Sequence, residues 1–358
     1  MVEFDNSLNG KCESSNKVVL TIRKHPVVWF FVFAFAISWA TIFAQAVVGP
    51  ASFISIPGVF APAIGGMIVA ACMNPESSHA SVKKRILVFS IVFVISVAVF
   101  LFLAYMSSWN VGLGFYVSYT VTALLAAYTF SSYYHPVQGV AQMFSGLNQK
   151  GKNPIWLLIA AVLPLFFAVV GALINLGLGQ SMFQFVTVAS ITSLILFIPN
   201  MFLFGGPSGE EPGWRGFATP KMQKYNNPLV VGFIIGLMWT AWHLPLYWTG
   251  AYSGGIEAAV VRFIWNTALG VLFAWVYNES NGNLLAALTL HTSNNIVASL
   301  FPPSNYYMMW AVMISFTAIA VIATKFWRKS NRLSLKQTAP STANKTIPQP
   351  ILLIKPSS

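Results

Sequence analysis

This sequence predicts an all-α membrane fold, a polytopic bundle of about 8–10 transmembrane helices. Three observations carry that prediction. Hydrophobic residues make up 56% of the 358 positions and charged residues only 8%, a composition unlike that of a solvated globule. The apolar residues fall in uninterrupted runs of about 20, the helix length that crosses a hydrocarbon core. Within lipid, only helices or closed barrels satisfy every backbone N–H and C=O.

The runs follow in order. The first, near 26–49, comes after Lys17, Arg23 and Lys24, and is too long and too far from the start for a cleaved signal peptide. Runs near 54–73 and 86–107 flank Lys83-Lys84-Arg85, and runs near 112–134 and 155–177 flank Lys150 and Lys152. The run near 183–204 ends at the Gly205-Gly206-Pro207 break, and the next, near 228–248, follows Lys221 and Lys224. Runs near 258–277, 284–300 and 306–327 bring the working count to ten, with Lys325, Arg328 and Lys329 behind them. Basic residues at alternate connections place both termini in the cytoplasm. The organisation is therefore a cytoplasmic N-terminal tail at 1–25, a transmembrane domain at 26–327 and a disordered basic C-terminal tail at 328–358. No repeat of fixed period and no separate soluble domain is evident.

A net charge of +12 would suit nucleic acid, but these cations sit beside hydrophobic runs, so no nucleic-acid function is read from them. Cys12 in the tail and Cys72 at a helix end form neither a disulfide framework nor a CxxC motif.

The acidic residues can be inspected whole. Glu3, Asp5 and Glu13 lie in the tail, Glu76, Glu257 and Glu279 in apparent loops, and only Glu210-Glu211 borders the apolar body. A carboxylate at mid-membrane costs roughly 3 kcal/mol or more, so it needs a partner or a cavity. Glu211 and Arg215 share a helical stripe in the favourable i, i+4 order. Glu210 then points elsewhere, where a drier site beside a like charge raises its basicity toward that of a general base. The bland reading is an ion-pair knot that positions a helix end.

Two of the five histidines favour chemistry. His25, His79 and His135 lie at segment edges or in loops, but His243, in "WTAWHLP", and His291, in "HTSNN", lie inside apolar runs. Trp239 precedes His243 by one turn, and Asn295 follows His291 by one turn on the same face.

"EEPGWR", "WTAWH" and "HTSNN" resemble, in order, the EExxxR, FxxxH and HxxxN motifs of the CPBP intramembrane proteases. That family includes the type II CAAX prenyl endopeptidases and the Abi, or bacteriocin-processing and immunity, proteins. The resemblance covers roughly residues 200–300, within a core of about 150–300, and departs from the pattern where Trp239 replaces phenylalanine. It implies an intramembrane endopeptidase acting on a membrane-associated, in some members prenylated, peptide or protein. Glu210 would activate water, His243 would help hold it, and His291 with Asn295 would stabilise the oxyanion. Glu211 and Arg215 would support them, with Trp239 as a packing aromatic, and no cofactor is expected.

Other chemistries remain open on the residues alone. Zinc could be held by Glu210, His243 and His291, although HExxH is absent. "GPSG" mimics the GxSG of rhomboid serine proteases, yet Ser208 in a Gly/Pro break equally suits a helix N-cap with Glu211 at N3. The polar set could also be a proton path in a transporter, or a binding site in a catalytically silent immunity protein. One conflict stands. With Glu210 at the cytoplasmic end of the sixth segment, His243 would lie ~22 Å deeper along the seventh, unless residues 207–225 re-enter the membrane or the segment boundary is wrong.

Overall fold

The computed structural model describes residues 17–49, 53–106, 112–182, 191–300 and 305–328. Most of the two predicted tails, Cys12 and the start of the run near 183–204 lie outside the described residues. The predicted N-terminal tail contains a helix, α1 (Lys17–Lys24), whose Arg23 Nε donates to the Cys72 carbonyl at 2.7 Å. There follow α2 (Pro26–Val48), a 3₁₀ turn (Pro57–Phe60), α3 (Ala61–Met73), α4 (Val82–Met106) and α5 (Leu113–Ser131). Next come the short α6 (Gln138–Met143), α7 (Ile155–Gly177), α8 (Ile191–Phe204), α9 (Pro207–Glu211), a π-helical turn (Pro212–Ala218) and α10 (Thr219–Met222). The chain closes with α11 (Pro228–Trp248), α12 (Gly255–Glu279), α13 (Leu284–Leu300) and α14 (Tyr306–Thr324). Among the described residues seven helices are long and apolar enough to cross a membrane, and none of the structure is a strand. The protein is an integral, multi-pass helical bundle. Glu257 and Glu279, expected in loops, occupy the first turn and the last position of α12.

The sixth segment departs from its predicted boundary. Helical structure resumes at Pro207 and continues to Met222, so Glu210 lies mid-segment, roughly 18 Å before its end. His243 lies ~22 Å into the antiparallel α11. The two depths agree, and the conflict disappears without re-entry. Every residue from Gly206 to Ala218 is buried; protein covers this segment on all sides, so its low hydropathy carries no lipid-facing penalty.

Small residues make that enclosure tight. A Cβ on Gly209 would stand 2.5 Å from the Val59 carbonyl oxygen, one on Gly216 would stand 2.7 Å from that of Met143, and one on Gly213 would collide with the Pro62 carbonyl. We expect Gly213→Ala to lower thermal stability in detergent by about 1–3 kcal/mol through overpacking. Gly177→Ala, where an added Cβ meets nothing within 4 Å, is the control; equal melting of the two variants would refute the packing role. On α11, Gly232 and Gly236 form a small-xxx-small pair against Gly270 of α12. This close approach sets the position of Trp239 and His243 one and two turns further on.

All described basic residues except Arg215 and Arg262 gather at one end of the bundle. That end holds α1, the starts of α4, α7 and α11, and the ends of α10 and α14. Lys152 marks its closure, with Nζ donating to the carbonyls of Gly146 at 2.6 Å and Gly282 at 3.1 Å.

Candidate active site

Gly206 turns the chain between α8 and α9 with φ +107°, a conformation a side chain rarely adopts. A Cβ there would meet Glu210 Oε1 at 2.5 Å and His291 Nε2 at 3.7 Å. The glycine therefore lets the backbone close over the edge of the carboxylate. Asn295 fastens the same break, its Nδ2 donating to the Gly205 carbonyl at 3.0 Å.

Glu210 and Glu211 diverge as the helical spacing requires. Glu211 is fully buried and lies 3.0 Å from the Arg215 guanidinium. Its Oε1 also lies 2.8 Å from His291 Nδ1, a contact that the spacing of the sequence did not reveal. With Glu211 ionised against Arg215, Nδ1–H is the donor, which leaves His291 Nε2 free to accept. Arg215 is sandwiched by aromatics, its Cζ 4.3 Å from the Phe273 ring centre and 5.3 Å from that of Trp239.

Glu210 faces the other way, into a cavity of about 480 Å³ whose lining also includes Trp239, His243, His291 and Asn295. The indole Nε1 of Trp239 donates to Glu210 Oε2 at 2.6 Å. Packing alone was expected of this residue, and a phenylalanine there would have no such donor. His243 Nδ1 lies 2.7 Å from the Trp239 carbonyl. A carbonyl can only accept, so Nδ1 carries the proton and Nε2 is left as an acceptor. The site thus presents a carboxylate and two imidazole acceptors of fixed tautomer, while Glu211 and Arg215 stay behind the cavity wall.

Two alternatives find less support in the geometry. Ser208 is buried, does not line the cavity and donates to the Leu203 carbonyl at 2.7 Å; Gly206, and not Ser208, occupies the N-cap. Among the described residues, no group of three or more His, Cys, Asp and Glu side chains is placed to hold a metal ion, so Glu210, His243 and His291 do not converge as a ligand set.

Comparison with known proteins points the same way as the motifs. Residues 191–297 match the family described as type II CAAX prenyl endopeptidase Rce1-like. Over 157 residues the chain is 24% identical to CAAX prenyl protease 2 of Methanococcus maripaludis, covering 42% of this chain and 56% of that relative. The chain therefore spans about half the length of the curated relative it matches.

Proposed function

We propose, from the match of residues 191–297 to the type II CAAX prenyl endopeptidase Rce1-like family, that this protein is an intramembrane endopeptidase that hydrolyses a peptide bond with glutamate-activated water. One observation carries the proposal: Glu210 is a carboxylate with no Lys or Arg in ion-pair contact among the described residues, facing the same cavity as two imidazoles whose Nε2 atoms accept. Water bound between Glu210 and His243 Nε2 would lose its proton to Glu210 as it attacks the peptide carbonyl. Glu210 would then return the proton to the departing amine. The second Nδ2–H of Asn295 would stabilise the oxyanion; His291, whose Nε2 accepts and so cannot share that role as the resemblance implied, would take up a proton from the hydroxyl of the tetrahedral intermediate while Glu211 orients it. The transmembrane domain would be the whole catalytic unit, with both tails outside it.

The position of the cavity along the bundle bears on the substrate. Its lining includes Ser55, Ile56, Tyr252 and Tyr306, from the end of the bundle opposite the basic residues, and no residue of the basic end. With the basic ends and both termini in the cytoplasm, the cavity draws its substrate from the other side of the membrane. This favours processing of a membrane-anchored peptide that reaches that side over cleavage of a prenylated protein at the cytoplasmic leaflet. Comparative proteomics of membranes from wild-type and Glu210→Gln cells tests the reading. A peptide whose cleavage disappears in the variant is expected, cut near the non-cytoplasmic face. No difference between the two membranes would refute it.

Asn295 separates this mechanism from a zinc one. Asn295→Ala should lower turnover by on the order of 10²–10³ with little change in substrate affinity, because the oxyanion bond strengthens only in the transition state. A metal would do that polarising itself and make Asn295 dispensable. Activity should therefore survive a chelator in detergent, and stoichiometric zinc lost together with activity in His243→Ala or His291→Ala would overturn the assignment.

A further inference from the structure

Arg262, on α12, stands apart from every other described cation. Arg215 is paired with Glu211 and the remainder lie at the basic end, whereas Arg262 lines the cavity in the opposite half of the bundle. No carboxylate lies within ion-pair distance of it among the described residues, and its Nε is buried without a hydrogen-bond partner. Its Cζ lies 4.9 Å from the ring centre of Tyr252 and 5.4 Å from that of Trp265, and its side-chain hydrogen bonds go to neutral tyrosine hydroxyls, that of Tyr247 at 3.5 Å and that of Tyr252. Trp265 is itself held flat against Trp310, ring centres 5.3 Å apart. Aromatic faces compensate part of the charge and fix the plane of the guanidinium, but they leave its Nε–H without an acceptor. Arg262 as a whole is half-buried, but a guanidinium N–H shut off from water without an acceptor is costly, and the position of this cation on the cavity wall suggests that the counter-charge arrives with a ligand.

We propose that Arg262 is a substrate-positioning residue that binds a carboxylate of the peptide occupying the cavity. A guanidinium matches a carboxylate with two parallel hydrogen bonds and one compensating charge. A phosphate group would bring more oxygens and more charge than this single cation and its apolar surroundings can satisfy. Two ring contacts bound the spacing to the reacting centre: the His243 ring stacks on Tyr252 at 6.0 Å, and the Arg262 Cζ lies 4.9 Å from the Tyr252 ring centre. At ~3.3 Å per extended residue, that bound brings the carboxylate within about three residues of the bond beside His243. It is either the terminal carboxylate of the peptide or an acidic side chain at that spacing. The proposal rests on the peptidase reading only for the nature of the ligand.

The test measures equilibrium binding to the purified full-length Glu210→Gln protein in nanodiscs. The probe is a short fluorescent peptide with an N-terminal palmitoyl anchor, made as a C-terminal acid, as a C-terminal amide, and as an amide with one glutamate third from the end. At least one carboxylate form should bind on the order of tenfold tighter than the plain amide, as expected for a charge-assisted hydrogen bond; whichever form does so identifies the source of the carboxylate. Arg262→Gln should erase the preference, and Arg262→Lys should keep part of it. Equal or absent binding of the three forms to the protein with Arg262 intact would overturn the proposal, and needs no Arg262 variant to fold. A preference that survives Arg262→Gln would overturn it as well. Acid preference without any cleavage by the wild type would remove the peptidase reading and leave the carboxylate site. Cleavage of all three forms with equal affinity would do the reverse.

Discussion

Glu210→Gln is expected to abolish proteolysis, by on the order of 10²–10⁴ or more, while membrane insertion and thermal stability stay close to wild type. The amide keeps the shape of the side chain and an oxygen for the Trp239 indole, whose bond to Glu210 measures 2.6 Å. It also places no uncompensated charge in the core, since Arg215 is held by Glu211 and not by Glu210. What it loses is the capacity to take a proton from water. Turnover of any peptide found by comparing membranes, together with a melting curve in detergent, decides the matter. Retained turnover would reject water activation by Glu210; collapse of the fold would show that this carboxylate is structural.

The polar residues of the site were legible because a chain with 8% charged residues leaves few of them unexplained. Glu210, Glu211, Arg215, His243, His291 and Asn295 stand out against apolar sequence, and the structure gathers them around one cavity and its rear wall. The extent of their helix was not legible. Hydropathy registers exposure to lipid, and residues 206–218 are enclosed by protein, so glycines and charges there read as the end of the sixth membrane segment. The small-xxx-small pair Gly232 and Gly236 was a readable sign that α11 packs closely on a neighbour. The bond between Glu211 and His291 joins positions 80 apart, and no local pattern encodes it. Nor does any pattern place Arg262 on the same cavity as Glu210; only the fold brings the two helices together.

Glu211→Gln should behave unlike its neighbour, losing stability and activity together. Glu211 accepts from Arg215 and His291 while fully buried, and Arg215 is 1% exposed. A glutamine offers one oxygen where the carboxylate offers two, and it leaves the guanidinium without a counter-charge. Breaking one side of such a buried pair costs about 3–5 kcal/mol, which a melting curve in detergent will register as a marked fall. The loss of activity has a second origin, because His291 then lacks the charged acceptor that holds its proton on Nδ1 and keeps Nε2 toward the cavity. A double variant separates the two. Glu211→Gln with Arg215→Met removes both charges, so stability should recover much of its loss, whereas activity should remain low because the imidazole is still unanchored. If Glu211→Gln alone melts with the wild type, the buried pair does not support the fold. If the double variant regains activity along with stability, Glu211 serves Arg215 alone and the orientation of His291 has another cause.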